Sequence, residues 1–172
     1  TVAIVPQLAE DGMLAIPLTW YSGWTDPALN ANLVPHGTPY CVEAHNTIGY
    51  LKEVAKPDGA TIAIASVPGD YGQDSAARAK LAAEALGLEV VYDGEAAIIP
   101  TDEATLTAVA DGIVSSGADY VWVATTPSTM SSIFGQALAK GFTAVWSGPS
   151  PSWNPAFVGP DSPIKDAFTA QF

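Results

Sequence analysis

From residue 61 onward the sequence repeats one figure: a short β-branched run, a stretch of helical periodicity, then a glycine. Residues 61–67 (TIAIASV) have the length and composition of a strand, and 75–86 (SAARAKLAAEAL) set apolar residues at helical spacing before Gly87. The figure recurs with a strand over 88–92 (LEVVY), a helix over 104–115 (ATLTAVADGIVS) and Gly117 just beyond it. A third strand, 120–124 (YVWVA), leads to Thr126-Pro127, an N-cap with proline at the first helical position, and that helix runs to about Lys140. Gly141 closes it and 142–147 (FTAVWS) forms the fourth strand. Glycine just past a helix end supplies the left-handed conformation that stops it. Near-continuous apolar strands between such helices predict an α/β fold, a parallel sheet with helices on both faces. Uneven spacing and dissimilar units exclude a solenoid.

The first sixty residues have a different character, rich in Trp, Tyr and Pro. They offer one strand, 14–18, after a short helical piece ending at Gly12, and a single strand cannot bury its own apolar faces. This predicts a division into residues 1–40, a remnant of one lobe whose other strands lie elsewhere, and 41–172, most of a second lobe. Residues 38–46 are expected to be the crossing between them, and 48–55 a short helix leading into the sheet. The opening Thr-Val-Ala-Ile-Val-Pro has neither an initiator Met nor the features of a signal peptide, so the chain reads as a fragment of a longer, two-lobed protein. Residues 149–163 read as an ordered loop with one apolar knot, 153–158.

Charge narrows the function. Six Lys and Arg against 18 Asp and Glu give a formal charge of −12, which disfavours nucleic acid or an anionic membrane surface as partner. No stretch approaches the roughly 20 apolar residues of a membrane-spanning helix. Cys41 stands alone, so no disulfide or thiol–metal pair is available, and it reads as a small buried hydrophobe. The sequence has no GxSxG elbow, P-loop, GxGxxG or HExxH, and no catalytic residue, metal ligand or cofactor is assigned. In parallel sheets ligands bind beyond the carboxyl ends of the strands, which singles out residues 68–73, 93–101, 125–128 and 147–153. From the first segment the corresponding loop is 19–25 (TWYSGWT). Asp70 and Asp74 make a phosphate unwelcome at the glycine turn 69–72.

The strand TIAIASV, the turn Pro68-Gly69-Asp70-Tyr71-Gly72, the Ala-rich helix and Gly87-Leu88-Glu89-Val90-Val91 together resemble the second lobe of type I periplasmic binding proteins. The branch concerned is the branched-chain amino acid (Leu/Ile/Val) receptor family. Gly117-Ala118-Asp119-Tyr120-Val121-Trp122 and Ala139-Lys140-Gly141-Phe142 fit the same pattern, and 15–17 with 22–29 resemble that family's first-lobe ligand loop. The resemblance implies an extracytoplasmic receptor, extracellular or periplasmic, membrane-anchored through a segment outside this sequence. Such a receptor captures an amino acid or a related carboxylate or aromatic compound and delivers it to an ABC transporter permease. It implies ligand contacts at Ser22, Gly23, Trp24 and Thr25, at Tyr71 closing from the second lobe, at Thr126, and at Trp153 as an aromatic wall. One departure stands out. Amino-acid receptors of this family place an acid after the fourth strand to hold the ligand ammonium, and residues 148–153 (GPSPSW) contain none.

Each residue has a second role open to it. Tyr71 could cover the start of the helix that follows, Thr126 could act only as an N-cap, and Trp20, Tyr21 and Trp24 could form a core face. Glu43 and His45 read as solvated hinge residues. Two alternatives to a transport receptor stay open: a ligand-sensing domain of the same fold in a receptor or regulator, and a fragment of a doubly wound enzyme. The unpartnered apolar side of residues 1–38 is expected to be partly exposed or covered by self-association with another copy of the chain.

Overall fold

The computed structural model describes residues 2–172. In chain order its elements are helix α1 (Val5–Glu10), helix α2 (Tyr40–Tyr50) continued by one wide π-turn (Leu51–Ala55), strand β1 (Thr61–Ser66), helix α3 (Asp70–Ala85) and strand β2 (Glu89–Gly94). Helix α4 (Glu103–Ser116), strand β3 (Tyr120–Ala124), helix α5 (Pro127–Ala139), strand β4 (Val145–Ser147) and helix α6 (Lys165–Gln171) follow. The four strands form one sheet in the order β2-β1-β3-β4, every pair parallel.

The period-two alternation of each strand decides what covers each face. Ile62, Ile64, Tyr120 and Trp122 point to one side and pack with Ala44, Ile48 and Leu51 of α2 and its π-turn and with Ala76, Ala79 and Ala83 of α3. Ala63, Ala65, Val121 and Val123 point to the other and meet Val109, Ile113, Met130, Ile133, Phe134 and Phe168. Alanine on α3 lets that helix lie close to the sheet, where Trp122 is wholly buried and its indole N–H donates to Ser75 Oγ at 3.0 Å. The three helix-stopping glycines have φ of 68° (Gly87), 62° (Gly117) and 74° (Gly141), the left-handed values that the sequence predicted.

At the amino ends of the strands, Asp119 accepts from Lys56 Nζ, from the Ala60 and Thr61 amides at 2.8 and 3.1 Å, and from Thr61 Oγ1 at 3.0 Å. The Lys56 bond first, then the amides, hold its carboxyl well below the usual carboxylate range. This clamp pins β1 to β3 at the end opposite the loops that leave the carboxyl ends of the strands.

Five expectations are corrected. Residues 14–18 do not form a strand: Ala15 alone bridges to Leu33, while Leu14, Ile16 and Leu18 are 75%, 64% and 87% exposed. With one bridging partner and Pro17 unable to donate, the run has no ladder to join. The short helix expected over 48–55 starts earlier, at Tyr40, with Tyr40, Ala44, Ile48 and Leu51 making one apolar stripe. Helix α3 begins five residues before Ser75, so Tyr71 lies in its first turn rather than on a loop. The strand expected over 142–147 shortens to three residues at the sheet edge, where it pairs only with residues 120–122. Cys41 is half-buried rather than enclosed.

The close approach of α3 to the end of β1 yields a stability test. A Cβ on Gly72 would overlap the Val67 carbonyl oxygen, whereas one on Gly135, inside α5, would meet nothing within 4 Å. Gly72→Ala should cost about 1–3 kcal/mol through overpacking. Gly135→Ala should add about 0.5–1 kcal/mol through helix propensity. Urea denaturation of the two variants should shift the midpoint in opposite directions; equal shifts would contradict this packing.

Candidate functional site

The strand order reverses direction between β1 and β3: the chain leaves β1 outward to β2 and returns to the other side of β1 for β3. Loops leaving the carboxyl ends of two such strands diverge and open a crevice. The residues that follow β1 and β3 are those leading to Tyr71 and those at 125–126, and the structure joins them directly. Tyr71 donates its hydroxyl to the Thr125 carbonyl at 2.9 Å and meets Ser152 Oγ at 3.0 Å. Burial above all, with Tyr40 and Glu43 nearby, pushes the Tyr71 hydroxyl well above its ordinary ionisation range, so it stays a neutral donor.

Ser152 is the hub of this contact. It sits in the 3-10 turn Ser150–Ser152 after β4, fully buried; its Oγ accepts from the Thr125 amide at 3.1 Å and lies 2.9 Å from the Val123 carbonyl, to which it can donate. One hydroxyl thus satisfies the backbone where β3 ends and ties the loop after β4 to the start of α3 through Tyr71. Thr125 Oγ1 and Trp20 Nε1 are buried without a hydrogen-bond partner. Buried polar groups are nearly always paired, so these two represent unused capacity beside the crevice.

The Tyr71 ring packs on Tyr40, centroids 4.6 Å apart, and Tyr40 packs in turn on Trp20 at 5.9 Å. The Tyr40 amide also donates to the Trp20 carbonyl at 2.9 Å. Aromatic contact therefore runs continuously from the first segment to α3. A polar tie lies beside it. The 3-10 turn Ser22–Thr25 sets Ser22 against α3, where the Ser22 amide donates to Asp74 at 3.1 Å and the Ser22 hydroxyl donates to the same carboxylate. Asp74 lies three residues beyond Tyr71 and so shares its side of the helix.

The expected site residues therefore differ in what they offer. Tyr71, Thr126 and the turn ahead of Trp153 converge on one rim. Ser22 joins them through Asp74. Thr25 is exposed, but its hydroxyl donates to the Ser22 carbonyl at 2.7 Å. Gly23 receives Asn30 Nδ2 on its carbonyl at 2.8 Å, and Trp24 is enclosed with Val5 and Leu33, its indole N–H on Thr19 Oγ1 at 3.1 Å. Thr126 is the N-cap of α5, exposed, with its hydroxyl on Thr129 Oγ1 at 3.0 Å. Trp153 is 44% exposed and borders a cavity of about 530 Å³ whose other walls include Glu43, Asn46, Thr47 and Ser150.

Sequence reasoning missed Tyr40, Glu43, Asp74 and Ser152 as site residues. Tyr40 and Glu43 stand three apart in the first turn of α2, and the helical stripe beginning at Tyr40 was the available signal. Glu43, read as a solvated hinge residue, is half-buried, and its carboxylate accepts from the Ser150 hydroxyl at 2.6 Å and the Ser150 amide at 3.2 Å. Among the described residues no cluster of His, Cys, Asp and Glu could hold a metal ion.

Residues 1–155 match a family model described as periplasmic binding protein, and the chain belongs to that family. Among solved structures, a fatty acid ABC transporter substrate-binding protein from Thermomonospora curvata is 26% identical, with a TM-score of 0.76 over 96% of this chain and 40% of its own. A branched-chain amino acid ABC transporter protein from Thermus thermophilus, with bound valine, is 21% identical, with a TM-score of 0.75 over 91% of this chain and 40% of its own. A substrate-binding protein from Aeropyrum pernix shares 18% identity at a TM-score of 0.72, over 89% of this chain and 38% of its own. The chain thus spans about 40% of the length of these structures. Comparison with curated protein sequences gives no match.

The Ser152 hub can be tested alone. Ser152→Ala leaves the buried Thr125 amide without an acceptor, at a cost of about 1–3 kcal/mol. Ser128→Ala, exposed on the same rim, should change stability by no more than about 0.5 kcal/mol. Thermal or urea unfolding distinguishes the two, and equal stability would remove Ser152 from its central place.

Proposed function

We propose that this chain forms part of an extracytoplasmic solute-binding receptor, working in the periplasm or at the cell surface, that captures a small molecule in the crevice beyond β1 and β3 and presents it to an ABC transporter permease. Membership of the periplasmic binding protein family supports the reading. The observation that carries it is the meeting of Tyr71 from the first turn of α3, Thr125 from the end of β3 and Ser152 from the turn after β4 at the switch point of the sheet. In this reading residues 1–40 contribute to a first lobe and 41–172 make most of a second. The exposed apolar side chains Ile4, Met13, Leu14, Ile16, Leu18 and Leu29, all in the first segment, fit a piece whose packing partners belong to that first lobe. The receptor binds without catalysing a reaction and is anchored at the membrane by a segment outside this sequence.

Ligand contacts are assigned to Tyr71, Thr126 and Trp153 on the second lobe and to the turn of Ser22, Gly23, Trp24 and Thr25 on the first. Tyr71 supplies an aromatic wall and a permanent hydroxyl. Thr25 supports the turn through its bond to Ser22.

Calorimetric titration of the full-length protein, with the compound that mass spectrometry finds co-purified with it, tests this. Tyr71→Ala should weaken binding by about 1–3 kcal/mol, roughly tenfold to a hundredfold. Thr25→Val should cost roughly 1 kcal/mol. Unchanged affinity in both variants, with thermal stability intact, would place the ligand site elsewhere.

A further inference from the structure

The Ser22–Thr25 turn is held on α3 by a carboxylate that has a second partner within one helical turn. Asp74 is half-buried and takes two bonds from Ser22, the amide on one oxygen at 3.1 Å and the hydroxyl on the other. These bonds join residues 52 apart and tie the first segment to the helix that packs on the sheet. Bonds to an ionised acceptor are about twice as strong as those between neutral groups.

Arg78 stands four residues after Asp74 on the same helix and is exposed. Side chains at i and i+4 are neighbours on a helix surface, and an acid placed before a base is the favourable order. The other positions one turn from Arg78 are Ser75, Leu81 and Ala82, so Asp74 is the one acid on its helix that Arg78 can meet. Yet the two do not pair. The ion pairs belong to Lys56, Lys80 and Lys140, and among the described residues Arg78 pairs with no acid. It borders instead a small cavity of about 170 Å³ with Cys41, Val42 and His45 of α2. Asp74 therefore has two competing arrangements, across to Ser22 or along its own helix to Arg78.

We propose that Asp74 is a two-position latch, engaged on Ser22 in this structure and released onto Arg78, and that Arg78 sets the strength of the latch by competing for the carboxylate. Release leaves Asp74 with a counter-charge, so the exchange costs less than stranding the carboxylate. Trp20 stays held by the Tyr40 ring at 5.9 Å and by the Tyr40 amide at 2.9 Å, so release frees the turn without detaching the segment. One consequence sets this apart from an ordinary structural contact: removing the positive charge beside Asp74 strengthens its hold on Ser22. Asp74 and Arg78 then act as positioning residues for the turn assigned to the first-lobe side of the crevice. That last consequence rests on the receptor reading, whereas the latch does not.

Hydrogen exchange at the Ser22 amide of the full-length protein, with no solute added, reads the latch directly. Arg78→Met, matched in length and in helix propensity, should slow Ser22 exchange about twofold at low salt. Arg78→Lys should restore the wild-type rate. At about 1 M salt, where charges are screened beyond about 3 Å, wild type and Arg78→Met should converge. Asp74→Asn should speed Ser22 exchange about tenfold, and adding Arg78→Met to it should then change nothing. The amides of β3 should exchange alike in all variants, which separates the latch from global stability. If Asp74→Asn does not fold, the two Arg78 variants, at an exposed position, and the salt series still decide the matter. Unchanged or faster Ser22 exchange in Arg78→Met overturns the proposal, as does an equal slowing by Arg78→Met when Asp74 is already Asn.

Discussion

The central strand β3 is enclosed on both faces, so the backbone groups at its carboxyl end have no water to turn to. Ser152 answers that need. Its hydroxyl takes the Thr125 amide and lies within reach of the Val123 carbonyl, which obliges the loop after β4 to fold back over the end of β3. Once that loop is in place, Tyr71 can close on Thr125 and Ser152, and Ser150, two residues earlier, reaches Glu43 on α2. The site is a by-product of satisfying a buried strand end, and its residues come from four elements distant in sequence.

Two ties connect the first segment to this arrangement. The aromatic contacts from Trp20 through Tyr40 to Tyr71 are apolar and nondirectional, while Ser22 and Asp74 form a directional, charge-assisted pair of bonds. Both reach α3 within its first five residues. Movement of the segment against the sheet would be felt at Tyr71, the residue assigned to close over a ligand. At the opposite end of the sheet the Asp119 clamp ties β1 to β3.

Much of the sheet was legible because its signals are local. Glycine past a helix end, β-branched strand runs and Pro127 after an N-cap threonine each act within a few residues, and the order of four strands and three helices followed from them. The sequence hid what depends on distant partners. Residues 14–18 have strand composition, but a strand exists only where a ladder is available, and Leu33 alone pairs with Ala15. The stripe of Tyr40, Ala44, Ile48 and Leu51 was present but masked by the polar residues between them and by Pro39. Glu43 and Ser150 are 107 residues apart, and no spacing rule links them. The resemblance supplied the rim residues Tyr71, Thr126 and Trp153, and packing supplied Tyr40, Glu43 and Ser152.

The central claim is that ligand binding is read at the carboxyl ends of β1, β3 and β4, where the loops meet on Ser152. Hydrogen exchange of the full-length protein, with and without its co-purifying solute, addresses it most directly. The account expects added protection in residues 22–25, 68–73, 125–128 and 147–153, with little change in β3, which is buried in either state. Protection gained instead at the amino ends of the strands, around Lys56 to Ala60 and Gly117 to Asp119, would contradict it.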